Sequence, residues 1–294
     1  MSWGRANRMS RIFDRASGRT VMLAVDHGYF LGPTHGMERP GEALDPLLPY
    51  ADAVMATRGL LRSGVDPTKI RSIVLRASGG VSITGPSLED ETLVVSIEDA
   101  LRVNASAIAV SVFVGTDRER QTLSNLSTAI DRAQRFDLPV LAVTAMGREL
   151  GAEDLRSMSL ATRICAELGA DFVKTYYTDG FEELVQSAMV PVVIAGGKKL
   201  ATERDALQLA HDAIGAGAAG IDFGRNVWQS SHPQAMIRAL RAVVHAGASV
   251  EDAHELCMDV AEGHESVGPE DPATKRGEED GRLLDMGARI REGS

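Results

Sequence analysis

The chain has 294 residues, a formal net charge of −10 and two cysteines. An acidic balance excludes a nucleic-acid binder, whose affinity rests on clustered Lys and Arg. No apolar run reaches the roughly 18 residues that a membrane-spanning helix needs, and the length suits one (β/α)8 barrel with terminal extensions. The opening segment, MSWGRANRMSRIF, is polar and basic without an apolar centre, unlike a secretory signal. Apolar, β-rich runs then recur along the chain. They predict strands at 21–25, 52–57, 72–76 and 107–114, and further strands at 139–144, 171–176, 191–195 and 219–223. Several are apolar almost throughout, the pattern of parallel strands covered on both faces. Helical periodicity falls between most of them, at 96–104, 117–135, 154–168, 180–187 and 202–216, and again at 229–246.

Eight strands alternating with helices predict an α/β fold, a closed (β/α)8 TIM barrel spanning 1–249 as one catalytic domain. An open, doubly wound sheet is the structural alternative. Residues 26–41 and 77–92, both rich in Gly and Pro, follow the first and third strands, and such βα loops build the active face of a barrel. Residues 250–294 read as a C-terminal helix, VEDAHELCMDVAEG, leading into a charged, mobile arm. Cys165 and Cys257 form neither a disulfide framework nor a zinc spacing, which fits a reducing cytoplasm and no metal.

Lys174 carries the most chemical information. It sits in DFVKTYY, and period-two alternation puts Phe172, Lys174 and Tyr176 on one face of the sixth strand. Burial disfavours the charged form of a lysine, and a neutral amine is the nucleophile that imine chemistry needs. A lysine ion-paired for structure alone is the competing reading. Asp26 and His27 close the first strand, where barrels place catalytic groups. Asp26 could move a proton at the imine or pair with Lys174, and alternation sends the neighbouring His27 elsewhere, to contact substrate or to orient the loop. A third group consists of two glycine turns, Ala195-Gly196-Gly197-Lys198 after the seventh strand and Gly224-Arg225-Asn226 after the eighth. Glycine lets backbone N–H groups approach phosphate oxygens, and Arg225 or Lys198 adds charge. Consecutive strand ends of this kind predict a phosphate site.

Other residues weigh less. The run GAGAAG at 215–220 matches a dinucleotide fingerprint in letters, yet it follows a helix and precedes a strand, the reverse of the required order. His211, His232, His245, His254 and His264 lack metal-ligand spacing and read as surface residues. Cys165 fits an apolar helix face, and Cys257 has no basic partner that would favour a thiolate. Arg58 and Arg76 could hold an anion or form ordinary ion pairs.

Taken together, VMLAVDHG, VKTYY, IAGGKK and DFGRN resemble the DhnA-type class I aldolases, (β/α)8 enzymes that act through a Schiff-base lysine. The resemblance runs from about residue 10 to about residue 250 and is strongest to the thiolase branch of autoinducer-2 breakdown. It implies that Lys174 forms the imine, that Asp26 is the acidic residue closing strand one, and that Ala195, Gly196, Gly197, Gly224 and Arg225 hold phosphate. Aldolases of the group carry a tyrosine near the end of strand five, and Thr144 stands at the corresponding place here, a much weaker acid. That difference favours the thiolase branch, which also lacks the tyrosine. The implied reaction uses coenzyme A as co-substrate and no metal, takes a phosphorylated small-molecule ketone, and belongs to homo-oligomers such as the ringed decamers of relatives. Lys174, Asp26 and His27 are the catalytic candidates. An aldolase or transaldolase-like synthase with the same lysine is the enzymatic alternative, and a phospho-sugar sensor with an inert lysine is the non-enzymatic one.

Overall fold

The computed structural model describes residues 1–146 and 154–263, so the expected arm over 264–294 lies outside the described residues. Its eight long strands are β1 (Thr20–Ala24), β2 (Ala53–Ala56), β3 (Ile73–Arg76), β4 (Ala107–Val114), β5 (Val140–Met146), β6 (Phe172–Thr175), β7 (Val192–Ala195) and β8 (Gly220–Phe223). All neighbouring pairs are parallel and β8 returns to β1, closing the barrel. An open doubly wound sheet is thereby excluded. The helices are α1 (Trp3–Ile12), α2 (Gly28–Leu31), α3 (Pro40–Leu44), α4 (Arg58–Gly64), α5 (Ile97–Arg102) and α6 (Glu119–Ala133). They continue with α7 (Leu155–Glu167), α8 (Phe181–Ser187), α9 (Glu203–Gly215), α10 (Arg225–Trp228), α11 (Pro233–Arg241) and α12 (Val250–Ala261).

Alternation along each strand sorts the residues into two layers. Met22 and Ala24 of β1, Ala53 and Met55 of β2, Val74, Ala107 and Ala109, Leu141 and Phe172 form one buried cluster inside the barrel. Their strand neighbours Val21, Leu23, Val54, Ile194, Ile221 and Phe223 pack outward against helices instead. The interior is apolar toward the strand N-termini and becomes polar two residues further along, where Arg76, Lys174 and Asp222 continue the inward faces. Helix α1 closes the apolar end. Met9, Ile12 and Phe13 recur at helical spacing and pack under the barrel, with Phe13 edge-on to Phe172 at 5.6 Å. The polar composition of this segment conceals the helix from a search for apolar periodicity.

The single helix expected over 229–246 begins only at α11, after a break at 229–232 that follows α10, and it ends in a π-helical turn over Ala242–Ala246. Pro233 stands in the first turn of α11, where its missing N–H costs nothing, and it could not sit inside a longer helix. A capping box between Thr202 and Asp205 starts α9. Helix α12 is joined to the barrel body: Val250, Ala253 and Cys257 are buried in the outer core shared with α9 and α11. A short antiparallel ladder, Ser78–Gly79 with Thr92–Leu93, folds the loop after β3 back on itself.

One polar cluster fastens the apolar end. Asp52, 1 % exposed, accepts hydrogen bonds from the Val21 backbone N–H (2.8 Å), Arg71 (3.2 Å), Arg241 (3.0 Å) and His245 Nε2 (2.8 Å). His245 is thus no surface histidine; its other ring nitrogen meets Ser17 at 2.8 Å. Burial alone would push the Asp52 carboxyl up, but His245 and Arg241 outweigh it and hold the group below its ordinary value. A carboxylate lowered in this way contributes stability that is present above its unfolded value, near 3.8, and is lost as pH falls through the folded one. Asp52→Ala strands four donor partners and is expected to cost about 3 kcal/mol at neutral pH in urea denaturation. The same variant should show a shallower loss of stability below about pH 4 than the unaltered chain.

Candidate active site

Beyond the apolar layer, the strand C-termini open into a cavity of about 260 Å³. Two ion pairs stand in its wall. Lys174 on β6, 7 % exposed, places Nζ 2.8 Å from Asp222 Oδ2 on β8. Arg76 on β3 donates from Nε to Asp26 Oδ2 at 2.7 Å and from Nη1 to Ser111 Oγ at 2.7 Å. Desolvation makes each of these charges costly, and pairing is what makes their burial tolerable.

The two carboxyl groups differ sharply. For Asp26, burial pushes the carboxyl up, but the Arg76 charge, then His27 and Lys174, more than reverse this and hold it below the usual carboxylate range. For Asp222, burial again pushes upward; Lys174 offsets only part of the rise, and the Asp26 charge adds to it. Asp26 is therefore a fixed anion, and Asp222 is the carboxyl that protonates more readily. Its Oδ1 is buried without a hydrogen-bond partner.

His27 also lines the cavity, against the alternation argument that sent it elsewhere. The strand ends at Ala24, and His27 has helical dihedrals as the residue before α2, so period-two geometry no longer applies. Its ring packs edge-on to Trp228 at 5.6 Å, and its Nδ1 is 3.8 Å from Asp26 Oδ1. Burial drives its pKa down to about 4; the Asp26 charge opposes this, and Lys174, Arg225 and Arg76 reinforce it.

Across the cavity lie the two glycine turns. Ala195, Gly196, Gly197, Gly224 and Arg225 all line it. Arg225 Nη2 donates to the Gly197 carbonyl at 2.9 Å, and its buried Nε has no partner. Asn226 sews the turns together: its Nδ2 donates to the carbonyls of Gly196 (2.6 Å) and Lys198 (3.3 Å), and its Oδ1 accepts from the Leu200 N–H (2.8 Å). Gly224 has no room for a side chain, since a Cβ there would stand 2.5 Å from the Ala24 carbonyl and 2.7 Å from His27 Cε1. Gly197, at φ +67, takes the left-handed conformation that turns the chain away from the cavity. That turn leaves Lys198 exposed and outside the cavity wall, so of this residue only the carbonyl is engaged. Lys199 meets Glu203 at 3.5 Å, and Arg58 pairs with Asp99 on α5.

The remaining wall is a polar chain that sequence reasoning did not find. Tyr29 donates to Glu91 Oε1 and Ser78 to Glu91 Oε2, both at 2.5 Å, while the Ser111 N–H donates to Ser78 Oγ and Arg76 lies over the Tyr29 ring. Phe30, Val81 and Leu88 form an apolar rim. The Thr144 hydroxyl donates to the Lys174 carbonyl at 3.1 Å, so it is committed to the backbone of the next strand. Both cysteines are buried, with thiols pushed up by burial to about 12 for Cys165 and about 11 for Cys257. Among the described residues no group of three His, Cys, Asp or Glu is placed to hold a metal.

Closed barrel, strand-end cavity and buried lysine define a barrel enzyme of carbon–carbon bond chemistry. The chain belongs to the DeoC/LacD family of aldolases, whose family model matches residues 20–230. It is 49 % identical over 259 residues to a 3-hydroxy-5-phosphonooxypentane-2,4-dione thiolase of Yersinia enterocolitica, covering 88 % of each chain. An uncharacterized aldolase of Pasteurella multocida is 48 % identical over 260 residues, 88 % of this chain and 89 % of that one. Among solved structures, an archaeal fructose-1,6-bisphosphate aldolase with its catalytic Lys covalently bound to the carbinolamine intermediate is 29 % identical. It superposes with a TM-score of 0.73 over 82 % of this chain and 99 % of that one.

An imidazole held near 4 stays neutral in the fold while the unfolded chain takes up its proton near 6.5. His27 therefore removes stability as pH falls from about 6.5 toward 4. An NMR titration of its ring should find only about a tenth protonated at pH 5 and a midpoint of about 4; a midpoint near the ordinary value would show an open, hydrated ring.

Proposed function

We propose that this chain is a coenzyme A-dependent thiolase that cleaves 3-hydroxy-5-phosphonooxypentane-2,4-dione to dihydroxyacetone phosphate and acetyl-coenzyme A through a Schiff base at Lys174. The observation that carries the proposal is Lys174 Nζ inside the same cavity as the two glycine turns, with a carboxylate at 2.8 Å. The named thiolase relative, at 49 % identity, supports the choice of reaction.

In this reading the substrate phosphate docks at Ala195, Gly196, Gly197, Gly224 and Arg225, where the Arg225 guanidinium supplies charge. Lys174 condenses with the carbonyl nearest the phosphate, releasing water and leaving an iminium. Asp26, held ionised by Arg76, stabilises that positive charge across the cavity. The thiolate of coenzyme A is the second substrate; it attacks the distal ketone, the adjoining C–C bond breaks, and the bonding pair flows into the iminium to give an enamine. Protonation of the enamine carbon and hydrolysis of the imine release dihydroxyacetone phosphate. The imine is needed because it delocalises a carbanion that water does not support. Both thiols are buried and pushed up, which supports direct transfer of the acetyl group to coenzyme A without an acyl-cysteine. The Phe30, Val81 and Leu88 rim suits the methylene and methyl stretches of that cofactor's thiol-bearing arm. The same reading places the protein in the cytoplasm as a homo-oligomer.

The archaeal neighbour favours a second reading, a class I aldolase acting on a ketose phosphate through the same lysine. Formation of acetyl-coenzyme A from the phosphorylated dione separates the two. Strict dependence on coenzyme A supports the thiolase, and sugar-phosphate cleavage without it supports the aldolase. Lys174→Ala is expected to stay folded by circular dichroism and to lose at least about 10³-fold in turnover. Borohydride with dihydroxyacetone phosphate should add mass at Lys174, and absence of the adduct would refute Schiff-base chemistry of either kind.

A further inference from the structure

We infer that Asp222 carries the proton during imine formation at Lys174, taking it from the ammonium and returning it to the departing hydroxyl; the inference rests on the Schiff-base reading above. Geometry singles out this residue. Asp222 Oδ2 already meets Nζ at 2.8 Å, so the first transfer needs no intervening group. Asp222 lines the cavity, and its other oxygen, Oδ1, is buried with no hydrogen-bond partner in the protein. A buried carboxylate oxygen left unpaired costs free energy, and the hydroxyl of a carbinolamine at Lys174 is a donor that would satisfy it.

The neighbouring groups are committed elsewhere. Asp26 Oδ2 is held by Arg76, and Arg76 is fixed in turn by Ser111. The Thr144 hydroxyl is spent on the Lys174 carbonyl. His27 stays neutral until about pH 4, too weak a base to hold a proton between steps. The environments of the two carboxyls point the same way, since burial raises Asp222 while Arg76 holds Asp26 down.

The steps balance as follows. The Lys174 ammonium gives one proton to Asp222, leaving an amine and a carboxylic acid. The amine lone pair bonds to the carbonyl carbon, the C=O π pair moves to oxygen, and one N–H proton follows it, forming the carbinolamine. The nitrogen lone pair then expels the hydroxyl, which takes the proton of Asp222 and departs as water. An iminium remains beside a restored Asp222 carboxylate, with the same net charge as at the start.

The test is the rate of borohydride trapping at Lys174 with dihydroxyacetone phosphate in a single turnover, read by mass spectrometry. Asp222→Asn keeps the shape and cannot take a proton, so trapping should slow by about 10²-fold or more at neutral pH and recover toward alkaline pH. A mere counter-ion predicts the opposite, because removing a negative neighbour favours the neutral amine and makes trapping as fast or faster. Asp222→Ala, which leaves space for formate, keeps the question open to test if the asparagine variant does not fold: added formate should restore the rate roughly tenfold. Wild-type trapping with the variants equally fast, or with the alanine variant unresponsive to formate, overturns the inference alone. A wild-type chain that is never labelled overturns the Schiff-base reading, and this inference with it.

Discussion

Four ionisable side chains, Lys174, Asp222, Arg76 and Asp26, share the floor of one cavity with almost no exposure to water. Isolated, each would cost several kcal/mol to desolvate, and pairing is what offsets that cost. Strand alternation is what brings them together. Arg76, Lys174 and Asp222 each lie on the inward face of a barrel strand, next along from apolar residues that fill the interior. The barrel thus supplies a rigid frame whose lower half is packed hydrocarbon and whose upper half is charge. Because the pairs are unequal in their surroundings, two chemically identical carboxyls acquire different proton affinities in the wall of one cavity.

The glycine turns complete the arrangement. Gly224 has no room for a side chain and Gly197 is left-handed, so bare backbone faces the cavity, while the Arg225 guanidinium reaches back to the Gly197 carbonyl. On the proposed reading, the phosphate anchors one end of a short ketone and leaves its carbonyl carbon within reach of Lys174. Binding energy from the unreactive end then positions the reacting one.

Much of this was legible in the residues themselves. Apolar β-rich runs gave every long strand close to its observed place, because parallel barrel strands are buried on both faces and cannot hide their composition. Lys174, Asp26 and the glycine turns stood out because charge or glycine interrupts such a run at its end. Asp222 did not, although it lies in a quoted motif: its partner is β6, and the adjacency of β6 and β8 faces across an interior follows only from barrel closure. Glu91, Ser78 and Tyr29 come from irregular loops, where no period predicts direction. Alternation misplaces His27 because the strand has already ended before it. His245 reads as a surface residue because its partner, Asp52, lies 193 positions away.

Asn226 carries a consequence of its own. A single amide side chain grips the turn after β7 while belonging to the turn after β8, so the two loops cannot be remodelled separately. Lengthening or shortening either one would dislodge the other and with it the Arg225 guanidinium that reaches back to Gly197. Descendants of this scaffold that accept differently shaped ketones are freest to vary the opposite bank of the cavity, the segment following β3. That loop is long, and its own ladder and the Ser78–Glu91 hydrogen bond hold it apart from the turns after β7 and β8.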